Sequence, residues 1–223
     1  NSVGCDSLHT LNLIINQSSS SNETVTIANS YTWLANNNTY TVSGVYTFTL
    51  TNANGCDSLL TLNLNILSVN ISVDQDISCY GNNDGTILAA GVGGSGNYTY
   101  DIDGGNAFTN LTGYFFGLAP CQHTICAKET PSNIIICGVV TILEPDPIAA
   151  NFTTDTFVSC NINNGQLSIN LSGGTTNNQP FLTIWTNANG DTLNDQTSNN
   201  FATTVGNLAA GNYIAYTKDA NGC

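Results

Sequence analysis

The chain has 223 residues, of which two are Lys or Arg and 15 are Asp or Glu, giving a formal charge of −13. Such a field repels nucleic-acid phosphates and anionic lipid, and no run of about 20 apolar residues could cross a bilayer, so neither nucleic acid nor membrane insertion is expected. Charged residues are only 8% of the chain. The surface is therefore built from Asn, Ser, Thr and Gly, and the scarcity of strong surface helix formers favours strands. Both ends repeat interior sequence: Asn1 to Cys5 resembles Asn52 to Cys56, and Ala220-Asn-Gly-Cys223 repeats Ala53-Asn-Gly-Cys56. The sequence is thus expected to be part of a longer exported chain.

The first element is a duplicated strand. Gly4-Cys-Asp-Ser-Leu-His-Thr-Leu-Asn-Leu-Ile-Ile15 returns as Gly55-Cys-Asp-Ser-Leu-Leu-Thr-Leu-Asn-Leu-Asn-Ile66. Alternate positions are apolar in both copies (Leu11, Leu13, Ile15 and Leu62, Leu64, Ile66), the period of a strand with one buried face. The pattern predicts that residues 4–15 open a small sandwich and run parallel to 55–66, which close it. Val25 to Ile27, Tyr31 and Trp33, Tyr40 and Val42, then Tyr46, Phe48 and Leu50 alternate between them. Residues 1–67 form the first expected domain.

A second pattern follows and recurs. Ile77-Ser-Cys79 with Asn83-Asp-Gly85 and Ile87 is matched by Val158-Ser-Cys160 with Asn164-Gly165 and Leu167. Both copies pass through Gly-Gly, at 93–94 and 173–174, into an aromatic strand, and reach Leu-Ala followed by a turn, at Leu118-Ala119 and Leu208-Ala209. Leu143-Glu-Pro-Asp-Pro147 separates them, because two prolines cannot continue a central ladder. The expected domains are 68–147 and 148–223. Gly44-Val-Tyr46, Cys121-Gln-His123 and Gly211-Asn-Tyr213 each open a late strand, where a Tyr hydroxyl commonly fastens the preceding corner of an immunoglobulin-like sandwich. His123 occupies that Tyr position, and a corner hydrogen bond is the expected role of its imidazole. The fold class predicted is all-β, with tandem immunoglobulin-like β-sandwich domains.

Residues 68–223 resemble two SprB-type repeats of the giant gliding and surface adhesins of Bacteroidota. The resemblance rests on Ile77-Ser-Cys79, Asn83-Asp-Gly85, Tyr98-Thr-Tyr100, Ile102-Asp-Gly-Gly105, Phe108, Leu118-Ala119, Leu208-Ala-Ala-Gly-Asn-Tyr213 and Lys218-Asp-Ala-Asn-Gly-Cys223. Residues 1–67 resemble the Gly-Cys-Asp-Ser repeats of large secreted proteins of the same phylum, through Ser30-Tyr-Thr-Trp33, Thr39-Tyr-Thr-Val-Ser-Gly44 and Gly55-Cys-Asp-Ser58. Cys121, where Gly is usual, and Cys126 depart from the pattern. The resemblance implies an extracellular, cell-surface repeat segment exported by type IX secretion. Its implied partners are neighbouring repeats, polysaccharide or cell surfaces, and laterally packed copies. The rival readings are a carbohydrate-binding module of a secreted enzyme and a subunit of a self-assembling filament.

Eight cysteines in such a chain suggest disulfides. The closest pair, Cys121 and Cys126, lacks the Cys-x2-Cys spacing of zinc sites. In the frame of the last repeat, Cys160 joins Cys223, Cys79 joins Cys137, and Cys121 is left with Cys126. Pairing of Cys126 with Cys137 across a Pro131-Ser132 hairpin stays open. Equivalent ends of the duplicated strand predict a Cys5–Cys56 bond.

No catalytic site is expected. His9 falls where the second strand copy has Leu60, His123 is a corner residue, and no nucleophile elbow accompanies either. Asp101 and Asp103 with Gly104-Gly105 fit a hairpin turn better than a calcium loop, which needs further ligands at fixed offsets. No cofactor is expected; calcium at domain junctions through Asp74, Asp76 or Asp146 is the one left open. Trp33 and Trp185 lie in alternating patterns and are expected in cores. Tyr114-Phe115-Phe116 must place rings on both faces of a strand, which makes these three the candidate binding spot. Ser7, Ser58, Thr192 and Thr156 each follow an Asp and precede an apolar residue, resembling the O-glycosylation acceptor motif of exported Bacteroidota proteins.

Overall fold

A computed structural model describes residues 4, 10–51, 53–159, 162–175, 181–198 and 201–223, with side chains omitted for 194–198. The described chain is all-β, as the composition predicts. It divides into two compact units, one of Asn1–Val69, Gly91–Thr99 and Ala127–Ile136, the other of Asn70–Ala90, Tyr100–Cys126 and Cys137–Cys223.

In the first unit, β1 (Ser19–Ala28), the short pair β2 (Tyr31–Trp33) and β3 (Asn38–Tyr40), and β4 (Gly44–Thr51) surround β5 (Asp57–Gln75). β1 lies parallel to β5, with Ser19 opposite Ser58 and Ile27 opposite Ile66, and β4 lies antiparallel to it, with Tyr46 opposite Leu62. The alternation read from the sequence holds here. Leu62, Leu64 and Ile66 are buried with Trp33, and Val25, Ile27, Tyr40, Tyr46 and Phe48 pack on them. Val42 and Leu50, expected in the same pattern, face outward.

Two expectations fail in this region. Residues 10–18 form no strand, and Leu11, Leu13 and Ile15 are 87%, 74% and 75% exposed. The parallel place beside β5 is already filled by β1. A copy of β5 cannot pair there as well, because its sequence encodes the strand that receives β1 rather than β1 itself. Second, the boundary expected at residue 67 falls inside β5, which runs unbroken for 19 residues and contains neither Gly nor Pro to interrupt it.

Beyond β5 come β6 (Gly85–Val92), β7 (Tyr98–Ile102), β8 (Tyr114–Leu118), β9 (Gln122–Glu129) and β10 (Ile135–Thr141). Strand order is β1-β5-β6-β8 in one sheet and β10-β9-β7 in another. Ile77, Ile87, Phe115, Ile125 and Ile142 are buried. From Leu143 to Ile148 no strand forms, in keeping with Pro145 and Pro147.

The last repeat is a sandwich of two three-stranded sheets. β11 (Ala149–Thr156), β12 (Gly165–Ser172) and β15 (Ala202–Leu208) make one, and β14 (Thr192–Ser198), β13 (Phe181–Asn187) and β16 (Tyr213–Lys218) make the other. Ile169 and Leu171 of β12, Phe181 and Trp185 of β13, and Val205 and Leu208 of β15 form its core. Trp185 is 1% exposed, meets Phe152 edge-on at 6.2 Å and donates Nε1–H to Thr203 Oγ1 at 3.2 Å.

Candidate functional site

The late-strand corners share one geometry. Tyr46 donates its hydroxyl to Val42 O at 2.9 Å and Tyr213 to Ala209 O at 2.7 Å; His123 Nε2 lies 3.1 Å from Ala119 O. All three acceptors are four residues upstream, so His123 fastens the corner as tyrosine does elsewhere. Its Nδ1 is 2.8 Å from Asp103 Oδ2. Both neighbours are acceptors, and only the doubly protonated ring can donate to both. Burial opposes that charge, but the bonds to Asp103 and Ala119 outweigh it and the His123 pKa is raised above 6.5. Burial also opposes ionisation of Asp103, and the bonds from His123 and from Thr124 N–H overcome it, lowering its pKa.

Cys121 Sγ is 3.4 Å from His123 Nε2, which sets thiol, imidazole and carboxylate in a row. A nucleophilic triad needs a free Nε2 lone pair to take the thiol proton. Here Nε2–H is directed at Ala119 O, so the ring is not placed to act as a base.

Carboxylates brace the turns. Asp101 accepts the N–H groups of Asn106 and Ala107 at 2.8 and 3.3 Å, and Asp103 has φ 52° in the turn after β7; that turn is not the hairpin expected from Asp-Gly-Gly, because β8 pairs with β6 and β7 with β9. Asp74 accepts from Thr86 and Tyr114, and Asp76 Oδ1 accepts Leu143 N–H at 2.8 Å. Asp146 contributes its backbone carbonyl to Gly174 N–H. Among the described residues no three metal-ligating side chains cluster, and no helix is long and apolar enough to cross a membrane.

One brace recurs that sequence reasoning missed. Glu129, 2% exposed, accepts Ser95 N–H at 2.9 Å and Ser132 N–H at 3.0 Å. Asp219 accepts Thr175 N–H at 2.7 Å, and Asn221 and Cys223 N–H at 3.0 Å. Each carboxylate thus ties the end of a late strand to the residue after a Gly-Gly pair. The signal was present as Lys128-Glu129 and Lys218-Asp219 at matching places. In both repeats the first glycine has positive φ and touches the incoming chain: an added Cβ would lie 2.4 Å from Ile66 O at Gly93 and 2.1 Å from Pro147 O at Gly173.

The aromatic triplet divides as expected of a strand. Phe115 is buried, while Tyr114 and Phe116 are 40% and 75% exposed on the outer face of β8 with ring centroids 6.5 Å apart. Trp33 and Trp185 lie in cores.

The disulfides depart from the frame-based pairing. Cys126 bonds Cys137 across the β9–β10 hairpin, and Cys79 bonds Cys223 with Cα atoms 5.7 Å apart. Cys121 is an exposed thiol rather than the partner of Cys126. It immediately precedes β9, so five extended residues, about 17 Å, separate the two, against a limit of about 7 Å. The Cys79–Cys137 and Cys160–Cys223 pairs are likewise replaced. Cys5, Ser7, His9 and Cys160 lie outside the described residues. Ser58 is half-buried, and Thr156 and Thr192 are exposed.

Against known proteins, the SprB repeat model matches residues 71–107. No curated protein matches. Among solved structures, the three N-terminal domains of the bacteriophage RB49 highly immunogenic outer capsid protein align over 71% of this chain and 56% of that one, with 14% identity and a TM-score of 0.42. Dimeric latent PorU from Porphyromonas gingivalis aligns over 81% of this chain and 21% of that one, with 13% identity and a TM-score of 0.20. The chain therefore spans less than two thirds of either. The β5–β7 region is what the family comparison identifies: a SprB repeat occupies residues 71–107 of this chain.

Proposed function

We propose that the chain is a non-catalytic repeat segment of a giant bacterial surface protein, a disulfide-stabilised stalk that spaces and displays weak adhesive surfaces for gliding or attachment to polysaccharides and cells. The observation that carries this reading is the SprB repeat together with the carboxylate-to-Gly-Gly brace built twice, at Glu129 and Asp219. Tyr46, Tyr213, Glu129 and Asp219 give polar atoms to backbone fastening at their corners and turns. The outward rings of Tyr114 and Phe116 supply the candidate contact surface, small in one copy and effective when many copies act together.

The test is valency. The 223-residue chain is applied singly to a glycan array, and at high density on beads to polysaccharide-coated surfaces. Negligible monovalent binding with retention of the beads is expected, and Phe116→Ser should release them. Tight binding by a single copy would instead identify a dedicated carbohydrate-binding module, and beads that are not retained would overturn the adhesive role.

A further inference from the structure

β16 lies at the edge of its sheet. Its strand neighbour among the described residues is β13 alone, whereas β9, which opens from the same kind of corner in the middle repeat, lies between β7 and β10. The difference shows on the inner face. His123, Ile125 and Ala127 of β9 are all buried, while Tyr213 and Ala215 at the matching places on β16 are only half-buried, and Ile214 and Tyr216 beside them are exposed.

The same repeat carries an open groove where the middle one is filled. Ile142, which follows β10, donates its N–H to Cys121 O at 3.1 Å and is buried; a Cβ added to Gly85 would lie 2.8 Å from Ile142 Cδ1 and 3.2 Å from Ile77 Cδ1. Gly165 holds the place of Gly85, since these glycines open β12 and β6 opposite Leu208 and Leu118. Val158, the counterpart of Ile77, stands in place against Gly165. No described residue stands for Ile142, and a groove of about 230 Å³ is found there, lined by Phe157, Val158, Leu167, Leu208 and Tyr213 among others.

The turn after β16 is shaped to send a strand along this edge. At the β9–β10 hairpin, Glu129 N–H donates to Ile134 O and Asn133 N–H to Glu129 O, both at 2.9 Å. After β16, Asp219 N–H donates to Cys223 O at 3.3 Å and Gly222 N–H to Asp219 O at 3.1 Å, the same reciprocal pair in a turn one residue shorter. Asn133 and Gly222, with φ 59° and 83°, take the left-handed step in each. A turn closed in this way returns the chain antiparallel to the strand it left.

We propose that the free edge of β16 and the groove over Gly165 form one docking site for an added β-strand, that its occupant is the segment following Cys223 in the longer chain, and that an apolar side chain of this segment fills the groove as Ile142 does in the middle repeat. Backbone bonds to the open edge supply the pairing and the apolar side chain supplies the anchor, the division of labour of strand addition. Until covered, an edge flanked by exposed Ile214 and Tyr216 is a template for unwanted pairing. The inference rests on the tandem-repeat reading and adds what completes this repeat.

The test extends the full chain by residues 135–144, appended directly after Cys223 with the appended Cys137 changed to Ser so that no thiol is introduced. Hydrogen exchange is followed by mass spectrometry. In the 223-residue chain, the β16 amides that face away from β13 should exchange rapidly. In the extended chain they should exchange about tenfold to a hundredfold more slowly, the gain from burying one Ile side chain, with the protein still monomeric by size-exclusion chromatography. Ile142→Asp in the appended copy should abolish the gain and Ile142→Val should keep most of it, while unchanged exchange in β6 and β9 shows that the rest of each variant is folded. No slowing on extension, or equal slowing with the Asp variant, would overturn the proposal. Slowing in the unextended chain that rises with concentration and accompanies a dimer would assign the edge to a second copy and overturn it equally. Bead retention depends on Phe116 and not on β16, so failure here and failure of the adhesive reading are told apart.

Discussion

Glu129 Oε1 accepts the backbone N–H of Ser95 at 2.9 Å, and this bond ties the end of β9 to the turn that follows β6. The Ser132 hydroxyl and the Ser95 amide together hold the Glu129 pKa down from 4.5 to about 2. A depressed folded-state pKa stabilises the fold fully above the unfolded value and loses that contribution as pH falls through the folded one. Acid unfolding monitored by circular dichroism should therefore include a loss between about pH 4.5 and 2. Glu129→Gln should remove that component and melt at lower temperature at pH 7, because its amide group presents donors to donors. An unchanged acid profile in the variant would show that the brace does not bear on stability.

Trp185 supplies the second prediction. It fills the centre of the last sandwich, edge-on to Phe152, and its indole N–H has a partner in Thr203. Trp185→Ala removes that volume and leaves the Thr203 hydroxyl without its donor, a loss of about 3–5 kcal/mol. Urea denaturation followed by tyrosine fluorescence should show an early transition in the variant. A loss below about 1 kcal/mol would mean that the two sheets do not share this core.

What the sequence revealed and what it hid divide along a physical line. Alternation located β5 and its core residues because one buried face imposes a period of two, and the same rule separated Phe115 from Tyr114 and Phe116. The Leu11–Ile15 copy misled because periodicity records which face is apolar, not which partner covers it; β1 holds that place. Disulfide pairing was hidden for a related reason. Matching loops in successive repeats reveal equivalent cysteines, whereas bonding depends on which turn reaches which loop, and the turn after Asp219 reaches Ser78 and Cys79. The Glu129 and Asp219 braces were present in the sequence as acidic residues at matching places, but their targets are backbone N–H groups, which leave no residue-type signature.

His123 yields a test of the corner. Its raised pKa means that the bound proton stabilises the fold fully below the unfolded value of 6.5, and that this contribution fades as pH rises through the raised folded value. Thermal stability should therefore decline from about pH 6.5 upward. His123→Tyr, which restores the group used at Tyr46 and Tyr213, should fold and lose that dependence. His123→Ala should fold less stably by about 1–3 kcal/mol, the range for a buried hydrogen-bonding group left unpaired. If the tyrosine variant keeps the same pH slope, the titration belongs to another group.

The O-glycosylation motif occurs at sites that differ in access. Thr192 begins β14 and Thr156 ends β11, both exposed, so a sugar at either can stand in solvent. Ser58 is half-buried in β5 and accepts a hydrogen bond from Ser19 Oγ at 2.9 Å across the parallel β1–β5 register. A glycan there would break that bond and crowd β1. Glycopeptide mass spectrometry on protein from its native host should therefore find hexose on peptides containing Thr192 and Thr156, with Ser58 bare. Modification of Ser58 would require attachment before β1 docks on β5. A mass equal to the bare polypeptide would mean that Asp-Ser and Asp-Thr here are turn and strand-end residues only.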